Sequence, residues 1–154
     1  MKKIGNETKL EFYRNCKPLN KFPNYLKNLF GRNKRSSLSK FRLGTLDLEI
    51  EKGRRKNIPR SDRLCKICKT KQTEDEIHFI LSCPALSTHR DHFIKKIISV
   101  NNQFTFLPNA AKVKYLYFNE CLPPKTLETS SLLLETLIEK RQFLLNSIDH
   151  KFLK

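Results

Sequence analysis

Four residues near the middle of the chain, Cys65, Cys68, His78 and Cys83, write the pattern C-x2-C-x9-H-x4-C. The first two are separated as a tight turn requires if both sulfurs are to reach one tetrahedral ion at about 2.3 Å. His78 and Cys83 lie near one helical turn apart, so the second pair can converge from the end of a short helix. Three thiolates and an imidazole are a soft, closed donor set that favours zinc over magnesium or calcium and leaves no open position for water. The pattern therefore predicts one structural Zn2+ that does not activate water. Ordinary buried cysteines beside a satisfied core histidine are the competing reading, and four donors at compatible spacing argue against it. His89 and His92 follow closely and are secondary ligand candidates; Cys16 and Cys121 stand apart, as packing residues or free thiols.

Such a centre has room to matter here. Hydrophobic residues make up 38% of the 154, with no Trp and one Met, so the core is modest and an ion can supply a large share of the folding free energy. Five cysteines are an odd number. No apolar signal-peptide core opens the chain, and no stretch approaches the roughly 20 apolar residues of a membrane span. These features lead to the expectation of an intracellular protein, nuclear or cytoplasmic and without membrane contact, in which clustered cysteines bind metal instead of forming disulfides.

Charge is the second constraint. The net charge is +16, and residues 1 to 64 hold 18 Lys and Arg against 6 Asp and Glu, whereas residues 65 to 154 hold 13 against 9. An excess of this size points to a polyanionic partner, above all nucleic acid, RNA or DNA. It is densest just before the cysteines, at Lys52, Arg54, Arg55, Lys56, Arg60 and Arg63, which are the predicted phosphate contacts. Glu49, Glu51 and Asp62 lie among them, and a solvated, locally neutralised face is the alternative. Phe12, Tyr13, Phe22 and Tyr25 can stack on unpaired bases, although core or partner contact is the commoner use of such aromatics.

Three segments are expected. Residues 1–36 read as a loosely ordered basic segment, with a helical turn or two at 25–30. Residues 37–100 read as a zinc-knuckle domain. It opens with a helix capped by Ser36 or Ser37 and interrupted at Gly44, continues with a short helix over 73–82 that carries His78, and ends with a helix from Pro84 to about Val100. Residues 101–154 read as a loop, a short helix over 112–120 and a long helix from Thr126 to about His150. The predicted fold class is mainly α: short helices around a small zinc knuckle, with a two-stranded turn in it.

The run K-F-R-L-G-T-L-D-L-E-I-E-K-G-R-R-K-N-I-P-R-S-D-R-L-C-K-I-C at 40–68, followed by E-D-E-I-H-F-I-L-S-C-P at 74–84, resembles the zinc-binding segment downstream of the polymerase in animal non-LTR retrotransposon reverse transcriptases. The resemblance spans about a third of the chain, Leu38 to Arg90. It implies that Cys65, Cys68, His78 and Cys83 are the ligands, and that the chain is a fragment or domesticated remnant of a mobile-element protein. The polymerase is not expected, since the sequence contains no Asp-Asp pair, and no Pro-Asp dipeptide follows Cys83 to suggest an appended nuclease. His89, Asp91 and His92 fall on different sides of a helix, so no enzyme is expected. The leading expectation is a zinc-stabilised nucleic-acid-binding module. The alternative is a zinc-folded protein-interaction module that recruits a partner through the helix at 126–150.

Overall fold

The computed structural model describes Tyr13, Pro23, residues 25–29 and residues 31–152, so most of the basic segment expected to be loosely ordered lies outside the described residues. The fold is mainly α, as expected. Its helices are α1 (Tyr25–Asn28), α2 (Arg32–Arg42), α3 (Glu49–Arg55), α4 (Ser87–Val100), α5 (Asn109–Phe118) and α6 (Pro124–Phe152). No strand forms among the described residues, and the expected two-stranded turn is reduced to one antiparallel bridge between Leu64 and Thr73.

α2 begins four residues before the predicted cap, so the expected boundary at 36/37 falls inside a helix. Its first turn carries Arg32, Lys34 and Arg35, charges that oppose the helix dipole and hide the start from a sequence reading. Tertiary contacts supply what the local signal lacks. Arg35 donates to the Leu29 carbonyl at 2.8 Å, the Tyr25 hydroxyl lies 2.8 Å from Ser39 Oγ, and Leu38 and Phe41 are fully buried. At the other end Gly44 takes φ 59°, with its N–H on Phe41 O and the Thr45 N–H on Lys40 O. That double bond is a Schellman stop, which glycine permits without steric penalty.

α6 is the spine of the molecule. α2, α4 and α5 all pack on it, as does the turn at His78–Ser82. Leu127, Leu133, Leu134 and Leu137 of α6 meet Leu38 and Phe41 of α2, Ile97 of α4 and Val113, Leu116 and Tyr117 of α5 in one apolar cluster. The Phe41 and Tyr117 rings lie 4.6 Å apart. A buried Arg42–Glu120 pair at 2.6 Å, with the guanidinium over the Tyr25 and Phe118 rings, closes one end of this layer. Arg42 is a core residue despite its charge, because the helix turns that position toward Phe118 and Glu120. Pro108 precedes α5, which starts three residues earlier than predicted, and the expected loop over 101–111 contains a 3-10 turn at Asn102–Phe106 that buries Phe104.

Candidate metal centre

The chain reaches the first cysteine pair through a second Schellman stop. Asn57 takes φ 56° after α3, and the Ile58 N–H returns to Gly53 O at 2.9 Å. A 3-10 turn at Arg60–Asp62 follows, and the chain then pairs briefly with its return. The Cys65 N–H donates to Gln72 O and the Glu74 N–H to Arg63 O, both at 2.9 Å. Between these bonds residues 66–71 form the tight turn, with Lys71 left-handed at φ 53°.

The second pair sits on a wider turn than the predicted α-helix. Residues His78–Ser82 are π-helical, and the Cys83 N–H reaches back to His78 O at 2.7 Å. Asp75 starts this turn by accepting the His78 N–H on Oδ1 at 2.8 Å. Helical π turns are rare and frequently lie at functional sites. Here the widening lets His78 and Cys83 face the same point.

The donor atoms of Cys65, Cys68, His78 and Cys83 all lie within 4.8 Å of one another, an arrangement that can hold a metal ion. Cys65 Sγ and Cys83 Sγ are 4.0 Å apart, and Cys68 Sγ is 3.4 Å from His78 Nε2. Cys65, His78 and Cys83 are buried and Cys68 is half-buried. His78 Nδ1 donates to Gln72 Oε1 at 3.0 Å, which turns Nε2 and its lone pair toward the sulfurs. Thr70 Oγ1 lies 3.1 Å from Cys68 Sγ. With no ion bound, the hydrogen bond to Cys83, together with burial, pushes the Cys65 thiol up to about 12, while the same bond lowers Cys83. The secondary candidates His89 and His92 are not part of the group, Cys121 is exposed, and Cys16 lies outside the described residues.

Buried charge surrounds the centre. Glu74 is 1% exposed and accepts both Nε and Nη2 of Arg141 at 2.8 and 2.6 Å, together with the Glu49 N–H at 2.8 Å. Arg90 Nη1 donates to the Cys83 carbonyl at 3.1 Å, fixing the backbone of the last candidate donor to α4. Sequence reasoning missed Glu74, Gln72, Arg90 and Arg141. A signal for the two arginines existed. Arg90 sits among Leu86, Phe93 and Ile97, and Arg141 among Leu137, Leu144 and Leu145, each at a position that helical periodicity reserves for the core. A charge on an apolar stripe needs a buried partner.

The six predicted phosphate contacts do not form one open stripe. Arg63 is corrected: it is buried, donating to Ile58 O at 2.9 Å and Ile50 O at 3.2 Å while its stem covers Gly53. One acceptor lies in the first turn of α3 and the other just beyond its end, so Arg63 runs along the helix and braces it against the knuckle. Arg54 lies along Glu51 in a two-bond pair at 2.9 and 2.5 Å. Lys52 reaches Asp47 at 2.9 Å, Arg55 lies 3.6 Å from Asp47, and Arg60 lies 3.4 Å from Asp75. Arg55, Lys56 and Arg60 are exposed, and so are Lys66, Lys69 and Lys71 of the knuckle turn, which the sequence reading left unused.

No helix among the described residues is long and apolar enough to cross a membrane. Comparison with protein-family models, with curated proteins and with solved structures finds no match to the chain.

Proposed function

We propose that the chain is a zinc-stabilised nucleic-acid-binding module, related to the knuckle segment of non-LTR retrotransposon reverse transcriptases and without catalytic activity of its own. The observation that carries this reading is the convergence of three sulfurs and one imidazole nitrogen within 4.8 Å, at the base of a turn whose exposed side chains are lysines. A zinc ion with bonds of about 2.3 Å to sulfur and 2.0–2.1 Å to nitrogen sets tetrahedral edges of roughly 3.8 Å between sulfurs and 3.6 Å between sulfur and nitrogen. The separations of 4.0 and 3.4 Å need only a small contraction and expansion to fit. Soft donors favour zinc over hard cations, and four protein ligands leave no position for a reacting water.

The module would meet phosphate through Lys56, Arg60, Lys69 and Lys71, aided by Arg55 and Lys66. Zinc orders the turn before a polyanion arrives, which lowers the entropic penalty of binding. Lys52 and Arg54 are engaged with carboxylates and would add little. The interaction-module reading is weaker, because Leu127, Leu133, Leu134 and Leu137 of α6 are already buried by the chain's own helices, and Leu132 and Phe143 are its exposed large apolar side chains among the described residues.

Filter binding of single-stranded RNA and duplex DNA at rising salt tests the reading. With four to six phosphate contacts, log K should fall against log salt with a slope of about −3 to −5, and zinc removal should weaken binding. Absence of binding at micromolar zinc-loaded protein in physiological salt sinks it.

A further inference from the structure

The carboxylate of Glu74 lies in an odd place for a metal centre built on thiolates. Its Oε1 is 3.6 Å from Cys65 Sγ, buried, and aimed at the cluster. A divalent ion with three thiolates and a neutral imidazole carries a net charge of −1. A second buried negative charge at that range would weaken the centre by like-charge repulsion. Arg141 answers this. It arrives from 67 residues along the chain on α6, and its Nε donates to the same Oε1 that faces Cys65. Its Nη2 takes Oε2 and lies 3.9 Å from Glu49, while Lys66 covers Glu49 from the solvent side at 3.2 Å.

Packing alone does not explain this arginine. A leucine at position 141 would continue the apolar stripe of α6, and replacing a buried ion pair by apolar residues is often neutral or stabilising. We infer that Arg141 is the counter-charge of the metal centre: it neutralises Glu74 beside Cys65, so that loading of the ion and seating of the C-terminal half of α6 on the knuckle form one linked equilibrium. Linkage is reciprocal, so whatever displaces α6 at Arg141 loosens the ion by the same factor that ion loss loosens α6. The inference rests on the Cys3His reading above and extends it to a helix distant in sequence.

Zinc competition with a chromophoric chelator, on the full chain, tests it. Arg141→Met should bind zinc about 10- to 100-fold more weakly, the usual effect of losing an outer-shell partner. Glu74→Gln combined with Arg141→Met removes the charge that needed neutralising and should recover most of that loss. Arg42→Met breaks a second buried pair, whose partners Glu120, Tyr25 and Phe118 are not those of Glu74 or the sulfurs, and should leave zinc affinity within about threefold of wild type. Unchanged affinity in Arg141→Met overturns the inference. So does an equal loss in Arg42→Met, or a double variant as weak as the single. Should Arg141→Met not fold, the double variant decides: folding and zinc uptake support the counter-charge, and failure of both marks Arg141 as packing. A wild-type chain that takes no zinc removes the metal reading itself, an outcome distinct from all of these.

Discussion

The helical layer and the knuckle are built from opposite materials. Between α2, α5 and α6 the contacts are mostly apolar, with the Arg42–Glu120 pair at one end: Leu38, Phe41, Leu116, Tyr117, Leu133, Leu134 and Leu137 are all nearly or fully buried. From Arg63 to Arg90 the buried set includes Arg63, Cys65, Glu74, His78, Cys83 and Arg90, joined from α6 by Arg141. The first region gains free energy by removing apolar surface from water, at about 25 cal/mol per Å². The second buries groups that lose hydration and need partners in return, which hydrogen bonds, ion pairs and the proposed metal ion would provide. The layer should therefore hold its shape without metal, whereas the knuckle should not.

Chelation is the largest perturbation of that contrast, because structural zinc sites contribute on the order of 10 kcal/mol to the folds they organise. Removing the ion should abolish hydrogen-exchange protection of the amides of residues 63–83 while those of α2, α5 and residues 124–137 keep most of theirs. Simultaneous loss across both regions would erase the distinction. Next in size, Phe41→Ala opens a cavity in the layer and should cost about 3–5 kcal/mol in denaturant unfolding of the metal-loaded protein. Its zinc affinity should stay close to that of wild type, since the Phe41 ring packs on Tyr117 of α5 and makes no polar contact with the donors.

The pattern of what the sequence revealed follows the same division. Ligand spacing is local, so Cys65, Cys68, His78 and Cys83 were legible directly, and so was the long helix with its apolar period. The start of α2 was not, because Arg32, Lys34 and Arg35 oppose the dipole, and the turn is held by contacts outside it, Arg35 with the Leu29 carbonyl and Lys34 with Glu128 of α6. The π turn at His78–Ser82 has no period of its own to betray it. Arg63 looked like one more cation in a basic run. Its burial depends on the absence of a side chain at Gly53, a relation between two positions that charge counting does not register. Glu74 and Arg141 meet across 67 residues, and neither predicts the other alone.

Acidification sharpens the knuckle side of the comparison. Metal binding requires thiolates and a neutral imidazole, and the Cys65 thiol, pushed up to about 12 in the metal-free fold, brings a proton that must leave. Zinc affinity should therefore fall as pH drops, by about tenfold per pH unit for each proton released, as measured by chelator competition from pH 8 to pH 6. An affinity flat across that range would mean that the thiols are not the ligands. Smaller still is Gly53→Ala. A methyl group there would meet Arg63 Cγ and come within 2.7 Å of its Cδ, forcing the brace off the end of α3. The expected loss is about 1–3 kcal/mol in thermal unfolding, the range for overpacking. A neutral result would show that the arginine moves aside freely.

The central claim is that Cys65, Cys68, His78 and Cys83 hold one zinc ion that organises the knuckle. Native mass spectrometry with elemental analysis of the purified full chain and its Cys83→Ser variant tests it most directly. One zinc per wild-type chain, released on denaturation, is expected, with a variant that carries none and has lost the ordered segment from Arg63 to Cys83. A wild-type chain free of zinc after purification with zinc present, or a variant that retains a full equivalent, would contradict it.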